Sequence, residues 1–276
     1  MKRGEAPTTG FLHPGAMGVT VAAACTGFRC WVSEFRSDET RTRAATAGLT
    51  DVGSLDELVS RCDTIVSVCP PDQALTVAGS VADAGFDGVY VDANAISPMT
   101  AATIGERFDR FVDGGIIGPP ATEPGTTRLY LSGDEAATVA ERWAGSVLDV
   151  RPIAGGVGAA SALKMLFAGW TKGTTALLLA INGAAEHHGV AEALHDEWKI
   201  SLPDLPGRSA GSAGRTALKA WRFDGEMREI AATLAAAGLP AEFHEAAADV
   251  YARLAGFKGA DPAPDLDDVI ARLLDR

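Results

Sequence analysis

Residues 155–189 read GGVGAASALKMLFAGWTKGTTALLLAINGAAEHHG, an apolar run opened by glycines and closed by His187-His188-Gly189. The run is too long for a strand. As a helix at about 1.5 Å per residue it spans about 50 Å, more than one small domain needs. Lys164 and Lys172 lie inside it. At about 100° per residue, Ser161, Lys164, Ala168, Thr171, Lys172 and Thr175 fall within about 80° of Lys164. A buried ammonium is costly unless something pairs with it. Either the lysines snorkel to solvent, or one of them faces a cleft and does chemistry there. The flanking sequence decides.

Ahead of the run the chain alternates between two patterns. Short apolar stretches read as strands at Thr8–Leu12, Arg29–Ser33, Thr64–Cys69, Val89–Asp92, Phe111–Ile116 and Leu129–Ser132. Helical segments lie between them: a small-residue helix to about Cys25, a charged one over Ser37–Ala47, and one opened by the capping box Ser54-Leu55-Asp56-Glu57. Strands alternating with helices of about 10 residues predict an α/β fold, a Rossmann-type doubly wound parallel sheet covered on both faces. After Val150 the strands stop. The remainder reads helical, apart from the Pro/Gly/Ser-rich stretch Ser201–Gly214. The expected domains are therefore residues 1–152, an α/β unit, and residues 153–276, an all-α unit opened by the long helix.

Composition excludes several classes. The 276 residues are 47% hydrophobic and 22% charged, which is globular rather than disordered. A formal net charge of −12 argues against nucleic acid or an anionic membrane as a main partner. No run reaches the roughly 20 apolar residues of a membrane span. Cys25, Cys30, Cys62 and Cys69 have neither metal spacing nor a close redox pair, which fits a reducing cytoplasm. His187, His188, His195 and His244 lack paired spacing with carboxylates, so no metal is expected.

The first strand, tight turn and helix form the place for a pyrophosphate, where backbone N–H groups and a helix N-terminus meet negative charge. The pattern expected is G-x-G-x-x-G. Here Gly15 and Gly18 occupy the second and third glycine positions, and His13 stands at the first. His13, Pro14, Gly15, Ala16, Met17 and Gly18 are the phosphate-binding candidates. Glu34 ends the second strand, where a carboxylate takes the ribose hydroxyls of NAD. Arg36 and Ser37 follow at once, together with Arg41 and Arg43, and arginines with a hydroxyl suit a 2′-phosphate. The balance favours NADP over NAD. Cys69-Pro70-Pro71 and Asn94 lie at the carboxyl ends of strands, where an open sheet holds its cofactor.

Five segments, in order, resemble motifs of the β-hydroxyacid dehydrogenases, the family of 3-hydroxyisobutyrate and 6-phosphogluconate dehydrogenases. Gly10–Gly18 resembles G-F-I-G-x-G-x-M-G, and Val91–Pro98 resembles V-D-x-S-T-x-S-P. Phe111–Pro119 sits where the substrate loop D-A-P-V-S-G-G belongs. Leu131–Glu135 resembles the G-G-D strand end, and Gly155–Lys164 resembles the segment carrying the catalytic lysine. Trp221–Ile230 looks like a branch whose second domain is of unknown function. The resemblance implies an NAD(P)-dependent oxidoreductase. In it Lys164 exchanges a proton with a substrate hydroxyl or carbonyl while hydride moves to or from the nicotinamide. Burial can bring a lysine toward working pH for that task.

The departures concern the substrate. Where the family has an asparagine one turn after the lysine, this chain has Ala168. The substrate-loop serine is replaced by Ile117, followed by Gly118 and Pro119, and a second-domain Lys-Asp pair becomes Gly225-Glu226. Thr171 and Lys172 are the residues that could replace these anchors, and Trp170 and Trp221 offer apolar surface. The substrate is then a small molecule bulkier or less acidic than a simple 3-hydroxy acid. Two alternatives stand beside the dehydrogenase reading: an imine reductase, and a non-catalytic NADP-binding sensor or accessory protein. Finally, about 90 residues cannot cover so long a helix, so a second copy is expected to wrap it in a homodimer.

Overall fold

The computed structural model describes residues 7–275. By compactness they divide into a first unit ending at Met165 and a second beginning at Leu166. That division falls inside the long helix.

The first unit holds eight strands: β1 (Thr8–Phe11), β2 (Phe28–Trp31), β3 (Thr50–Asp51), β4 (Thr64–Ser67), β5 (Val89–Asp92), β6 (Phe111–Ile117), β7 (Arg128–Ser132) and β8 (Asp149–Pro152). They form one sheet in the order β3-β2-β1-β4-β5-β6-β7-β8. The first six strands thus run 3-2-1-4-5-6, the doubly wound arrangement that places a ligand where the strand order reverses, outside the ends of β1 and β4. Every neighbouring pair is parallel except β6 and β7, which run antiparallel because residues 118–127 turn the chain back without a crossover helix. β3 and β8 escape the sequence reading for one reason: both are edge strands with little apolar pattern, and β8 ends in proline.

Adjacent strand residues divide between the two faces. Phe11, Trp31, Val66, Val91 and Val112 join one core. Their neighbours Leu12, Cys30, Ile65, Tyr90 and Phe111 join the other. The period of two therefore builds both cores from the same strands. Helices α1 (Gly18–Ala24), α2 (Asp38–Thr46), α3 (Leu55–Arg61), α4 (Ala74–Asp83), α5 (Pro98–Gly105) and α6 (Ala136–Ala140) belong to this unit. Ser54 caps α3 by accepting the N–H of Glu57, as its motif predicts.

α7 (Ala159–His187) is 29 residues long, about 44 Å at about 1.5 Å per residue. It begins later than the sequence suggested, because Gly155 (φ 115°) and Gly158 (φ 95°) turn through backbone that a helix cannot use. The second unit adds α8 (Ala191–Ser201), α9 (Leu205–Ala217), α10 (Ala220–Ala236), α11 (Glu242–Leu254) and α12 (Leu266–Leu274). Phe223, Met227, Ile230, Tyr251 and Leu254 form its core, with the Phe223 and Tyr251 rings edge-on at 5.2 Å.

α9 corrects the expectation of a loop over Ser201–Gly214. Pro206 sits in its first turn, where a missing N–H costs nothing. Ser209, Ala213 and Ala217 make its buried face, and a Cβ on Gly214 would lie 2.3 Å from the Pro264 carbonyl oxygen. Close packing demands small residues at Gly214 and on the buried face, and a composition rule read the whole stretch as a loop. Among the described residues, no helix is long and apolar enough to cross a membrane.

Candidate active site

The turn after β1 is closed by its own backbone. Gly15 N–H donates to the His13 carbonyl at 2.8 Å, and Val19 N–H donates to the Gly15 carbonyl at 2.9 Å. A Cβ on Gly18 would stand 2.4 Å from the His13 carbonyl oxygen, so glycine is required there. Above Gly15 a Cβ would meet nothing within 4 Å, which leaves open space over the turn. His13 lies outside the set of residues with positive φ. The departure from the glycine fingerprint is therefore tolerated without backbone strain.

His13 and Arg36 come together at this turn. Burial, with the Arg36 cation adding to it, lowers the His13 pKa to about 4, so the ring is neutral at pH 7. His13 Nδ1 and Arg36 Nε are both buried without a hydrogen-bond partner. Such atoms are uncommon in a finished interior and point to a polar group that completes them. A dinucleotide phosphate meets that requirement. The other basic candidates are occupied: Arg43 pairs with Glu39 at 2.5 Å, and Arg41 Nε donates to the Arg36 carbonyl at 3.3 Å. Ser37 caps α2 by accepting from Thr40 N–H. Glu34 is exposed, and so is Phe35, which stands between Glu34 and Arg36 with a left-handed φ of 56°. A bulky residue in that region is strained, a signal the sequence did not carry.

Asn94 is buried and braces the strand ends. Its Oδ1 accepts from Cys69 N–H at 2.6 Å, and its Nδ2 donates to Ser67 at 3.2 Å and to Asp92 at 2.8 Å. The residue thus holds the Cys69-Pro70-Pro71 turn in place. Burial pushes the Cys69 thiol up to about 12, which keeps it protonated.

Lys164 stands near the start of α7, and that start is tied to β6 and β7. Asp113, buried in the middle of β6, accepts from Ser161 N–H at 2.9 Å, from Ser161 Oγ at 2.5 Å and from Ser132 Oγ at 3.2 Å. Ser132 Oγ in turn accepts from Ala160 N–H at 3.0 Å. Two free N–H groups of the helix end are satisfied in this way, and the carboxylate suits the positive end of the helix. A Cβ on Gly115 would fall 2.7 Å from the Ala160 carbonyl oxygen and 2.9 Å from Lys164 Cβ, so strand and helix touch there. Lys164 is half-buried. Asp113 and Ser132 had no role in the sequence reading. The signal was an aspartate inside an otherwise apolar strand, since a buried carboxylate needs donors.

The other substrate candidates are placed as follows. Ile117 is buried at the end of β6. Gly118 turns with φ 134°, and the Pro119 carbonyl accepts from Thr127 Oγ1 at 2.5 Å. Ala168 is buried and Trp170 is 70% exposed. Thr171 Oγ1 donates to the Phe167 carbonyl at 3.1 Å. Lys172 differs from the expectation of an available anchor. Its ammonium pairs with the buried Glu226 carboxylate and lies 4.6 Å from the Phe223 ring centre, while its carbonyl accepts from Tyr251 OH at 2.7 Å. Glu226, which replaces the family's acidic partner in sequence, is thus what ties Lys172 down. The Trp221 ring carries the Lys258 ammonium at 3.9 Å from its centre.

Fold and turn define the class: a dinucleotide-type α/β unit followed by an all-α unit. Known structures agree. A conserved protein of unknown function, described as structurally similar to 3-hydroxyacid dehydrogenases, is 25% identical with a TM-score of 0.68, over 97% of this chain and 100% of that one. The 3-hydroxyisobutyrate dehydrogenase of Mycobacterium tuberculosis, solved with L-serine, superposes with a TM-score of 0.67 at 20% identity, over 98% and 99% of the chains. A reductive aminase of Aspergillus terreus, solved with NADPH, has a TM-score of 0.55 at 16% identity, over 97% and 99%. At such identities the last two speak for the fold alone.

Residues 185–254 match a domain of unknown function, DUF1932. An uncharacterised 28.5 kDa protein of Methanothermus fervidus is 31% identical over 163 residues, which is 58% of this chain and 62% of that protein. The match thus spans less than two thirds of that relative. The resemblance read from the sequence holds in the fold: the chain is built like the 3-hydroxyacid dehydrogenases, with a domain of unknown function in its helical part.

Proposed function

We propose that the protein is an NAD(P)-dependent oxidoreductase acting on a small carbonyl or hydroxyl substrate, with Lys164 as general acid or base. The observation that carries this reading is the double tether of Asp113 and Ser132 to the first turn of α7, which fixes the backbone that bears Lys164. General acid–base catalysis needs a donor held in place, and a tethered helix start supplies that.

His13, Pro14, Gly15, Ala16, Met17 and Gly18 would hold the dinucleotide phosphates, with Arg36 on the 2′-phosphate of NADP and the Cys69-Pro70-Pro71 turn and Asn94 behind it. The bound nicotinamide would supply or accept the hydride. Lys164 Nζ gives a proton to the carbonyl oxygen in reduction and takes it back in oxidation. Purified protein with NADPH and a panel of aldehydes, ketones and cyclic imines is expected to lose nicotinamide absorbance. Tight NADPH binding with no turnover on any panel member would instead favour the sensor reading. Lys164→Ala is expected to abolish turnover with cofactor affinity nearly intact, and equal activity in that variant would remove the proton-transfer role.

One observation favours an imine or a ketone over a small hydroxy acid. Ala168 is apolar and buried where the family has an asparagine, and Lys172, a candidate replacement, is engaged by Glu226, so neither position serves as a carboxylate anchor. Turnover of cyclic imines but not of 3-hydroxy acids would decide for that branch.

The homodimer reading also has a surface in the second unit. Leu166, Trp170, Leu177, Leu234 and Phe243 line an apolar groove beside α7, and several of these are exposed. A second copy of this chain is the occupant proposed. Sedimentation as a monomer at micromolar concentration would refute it.

A further inference from the structure

Asp92 closes β5 inside the sheet, fully buried, with Ser67 of β4 and Asp113 of β6 as its cross-strand neighbours. Both of its oxygens accept from one residue. Asn94 N–H donates to Oδ1 at 3.0 Å, and Asn94 Nδ2 donates to Oδ2 at 2.8 Å. The second Nδ2 hydrogen goes to Ser67 Oγ at 3.2 Å, while Asn94 Oδ1 accepts from Cys69 N–H at 2.6 Å. Every hydrogen of the Asn94 amide is therefore in use, and Asp92 sets which way the amide points.

This arrangement suits an ionised carboxylate, which only accepts. A neutral acid carries one O–H, and on either oxygen that hydrogen would face an Asn94 donor. One contact must then break. If the amide turns to offer its oxygen to the acid, Cys69 N–H loses its acceptor. The ionised form has the opposite difficulty, a charge held away from water. The titratable groups that face Asp92 are Asp113 from β6, Tyr90 from its own strand and Cys69 beyond β4. Burial pushes the Tyr90 phenol and the Cys69 thiol up, so both are neutral, and Asp113 only adds negative charge. The two forms of Asp92 are near balance. Burial raises its pKa, Asn94 donation opposes the rise and Asp113 adds to it, which brings it to about 7.

We propose that Asp92 is a positioning residue: ionised, it holds Asn94 in the pose that fixes the Cys69-Pro70-Pro71 turn, and a proton on it frees that turn and weakens a dinucleotide held there. The effect on the dinucleotide rests on the oxidoreductase reading, whereas the effect on the turn does not. One ordinary hydrogen bond is at stake, so affinity should change by about three- to tenfold. The sign is distinctive. A charge acting only at a distance would weaken the dinucleotide when ionised, because a carboxylate repels phosphates.

The test has two limbs, both on the full-length protein. In the first, ¹⁵N-cysteine labelling leaves four backbone amides, and Cys69→Ser assigns the one of interest. In the free wild type, the Cys69 amide should titrate between pH 5 and pH 8.5 with a midpoint near 7. In Asp92→Asn, whose amide sets a donor against Asn94 at every pH, it should stay at the low-pH position. No titration in the wild type would overturn the proposal, and that measurement needs no variant. The same curve in Asp92→Asn would overturn it too, since another group would then be titrating.

The second limb is calorimetric titration with NADP⁺. Wild type should bind about three- to tenfold more tightly than Asp92→Asn at pH 8 and equally at pH 5.5. His13 and the phosphates of NADP⁺ titrate in both proteins, so the ratio isolates Asp92. Weaker binding by the wild type at pH 8, or a ratio that does not change with pH, would overturn the positioning role. Absence of NADP⁺ binding at any pH would remove the oxidoreductase reading and this second effect with it. The Cys69 amide would still decide whether Asp92 sets the turn.

Discussion

Asp113 holds Ser161 twice, through the backbone N–H at 2.9 Å and through the hydroxyl at 2.5 Å, and neither residue is open to solvent. One carboxylate on a central strand thereby fixes the first turn of the helix that carries Lys164. Asp113→Ala leaves the Ser161 N–H and two hydroxyls buried without an acceptor, at about 1–3 kcal/mol for each unsatisfied group. A loss of several kcal/mol in urea unfolding is expected, together with a large fall in kcat. Ser161→Ala removes one donor only and is expected to cost about 1 kcal/mol. A larger effect on kcat than on cofactor affinity would show that the tether serves the lysine.

Gly115 tests the same junction from the strand side. In Gly115→Ala the new Cβ would lie 2.7 Å from the Ala160 carbonyl oxygen, a backbone atom that cannot swing aside. The helix start must then shift, at an expected cost of about 1–3 kcal/mol. NADPH affinity, set at the other strand ends, should change little. Thermal unfolding and cofactor titration on one preparation separate the two effects.

Arg36 and His13 are where the proposed cofactor can be tested. If Arg36 meets a 2′-phosphate, Arg36→Ala should weaken NADPH by about tenfold or more and leave NADH nearly unchanged. A phosphate placed against His13 would oppose the effect of Arg36 on the ring. The His13 pKa should therefore rise from about 4 on binding, as read by NMR titration of the ring protons. No movement of that resonance would place the phosphate elsewhere.

The fold was legible because its signals are periodic. Alternating apolar strands such as Thr64–Ser67, separated by helical segments, predict a doubly wound sheet without any long-range information. The glycine turn between β1 and α1 was legible from Gly15 and Gly18 despite His13, because strand and helix flank it in sequence. What stayed hidden depends on pairs distant in the chain. Asp113 and Ser161 are 48 residues apart, and Lys172 meets Glu226 through helix packing. Cys30 and Cys62, which look unrelated in sequence, are buried in the same core. α9 misled for another reason, since small residues chosen for close packing look like a loop when counted by composition.

Asp92 gives the pH dependence a definite sign. It is fully buried beside Asp113, and burial first, then that second carboxylate, raise its pKa to about 7, against the pull of Asn94 N–H donation. The unfolded chain carries an aspartate near about 3.9. Between about pH 4 and 7 the native state therefore binds the extra proton, and stability falls as pH rises through that window, by about 4 kcal/mol at most. His13 works in the opposite sense. Its lowered pKa makes stability rise as pH goes from about 4 to 6.5. The wild-type curve mixes both, so the variant isolates Asp92. Asp92→Asn cannot ionise, and its urea midpoint should gain on the wild type between pH 5 and pH 8. A gap between the two proteins that stays constant over that range would mean that Asp92 does not titrate there.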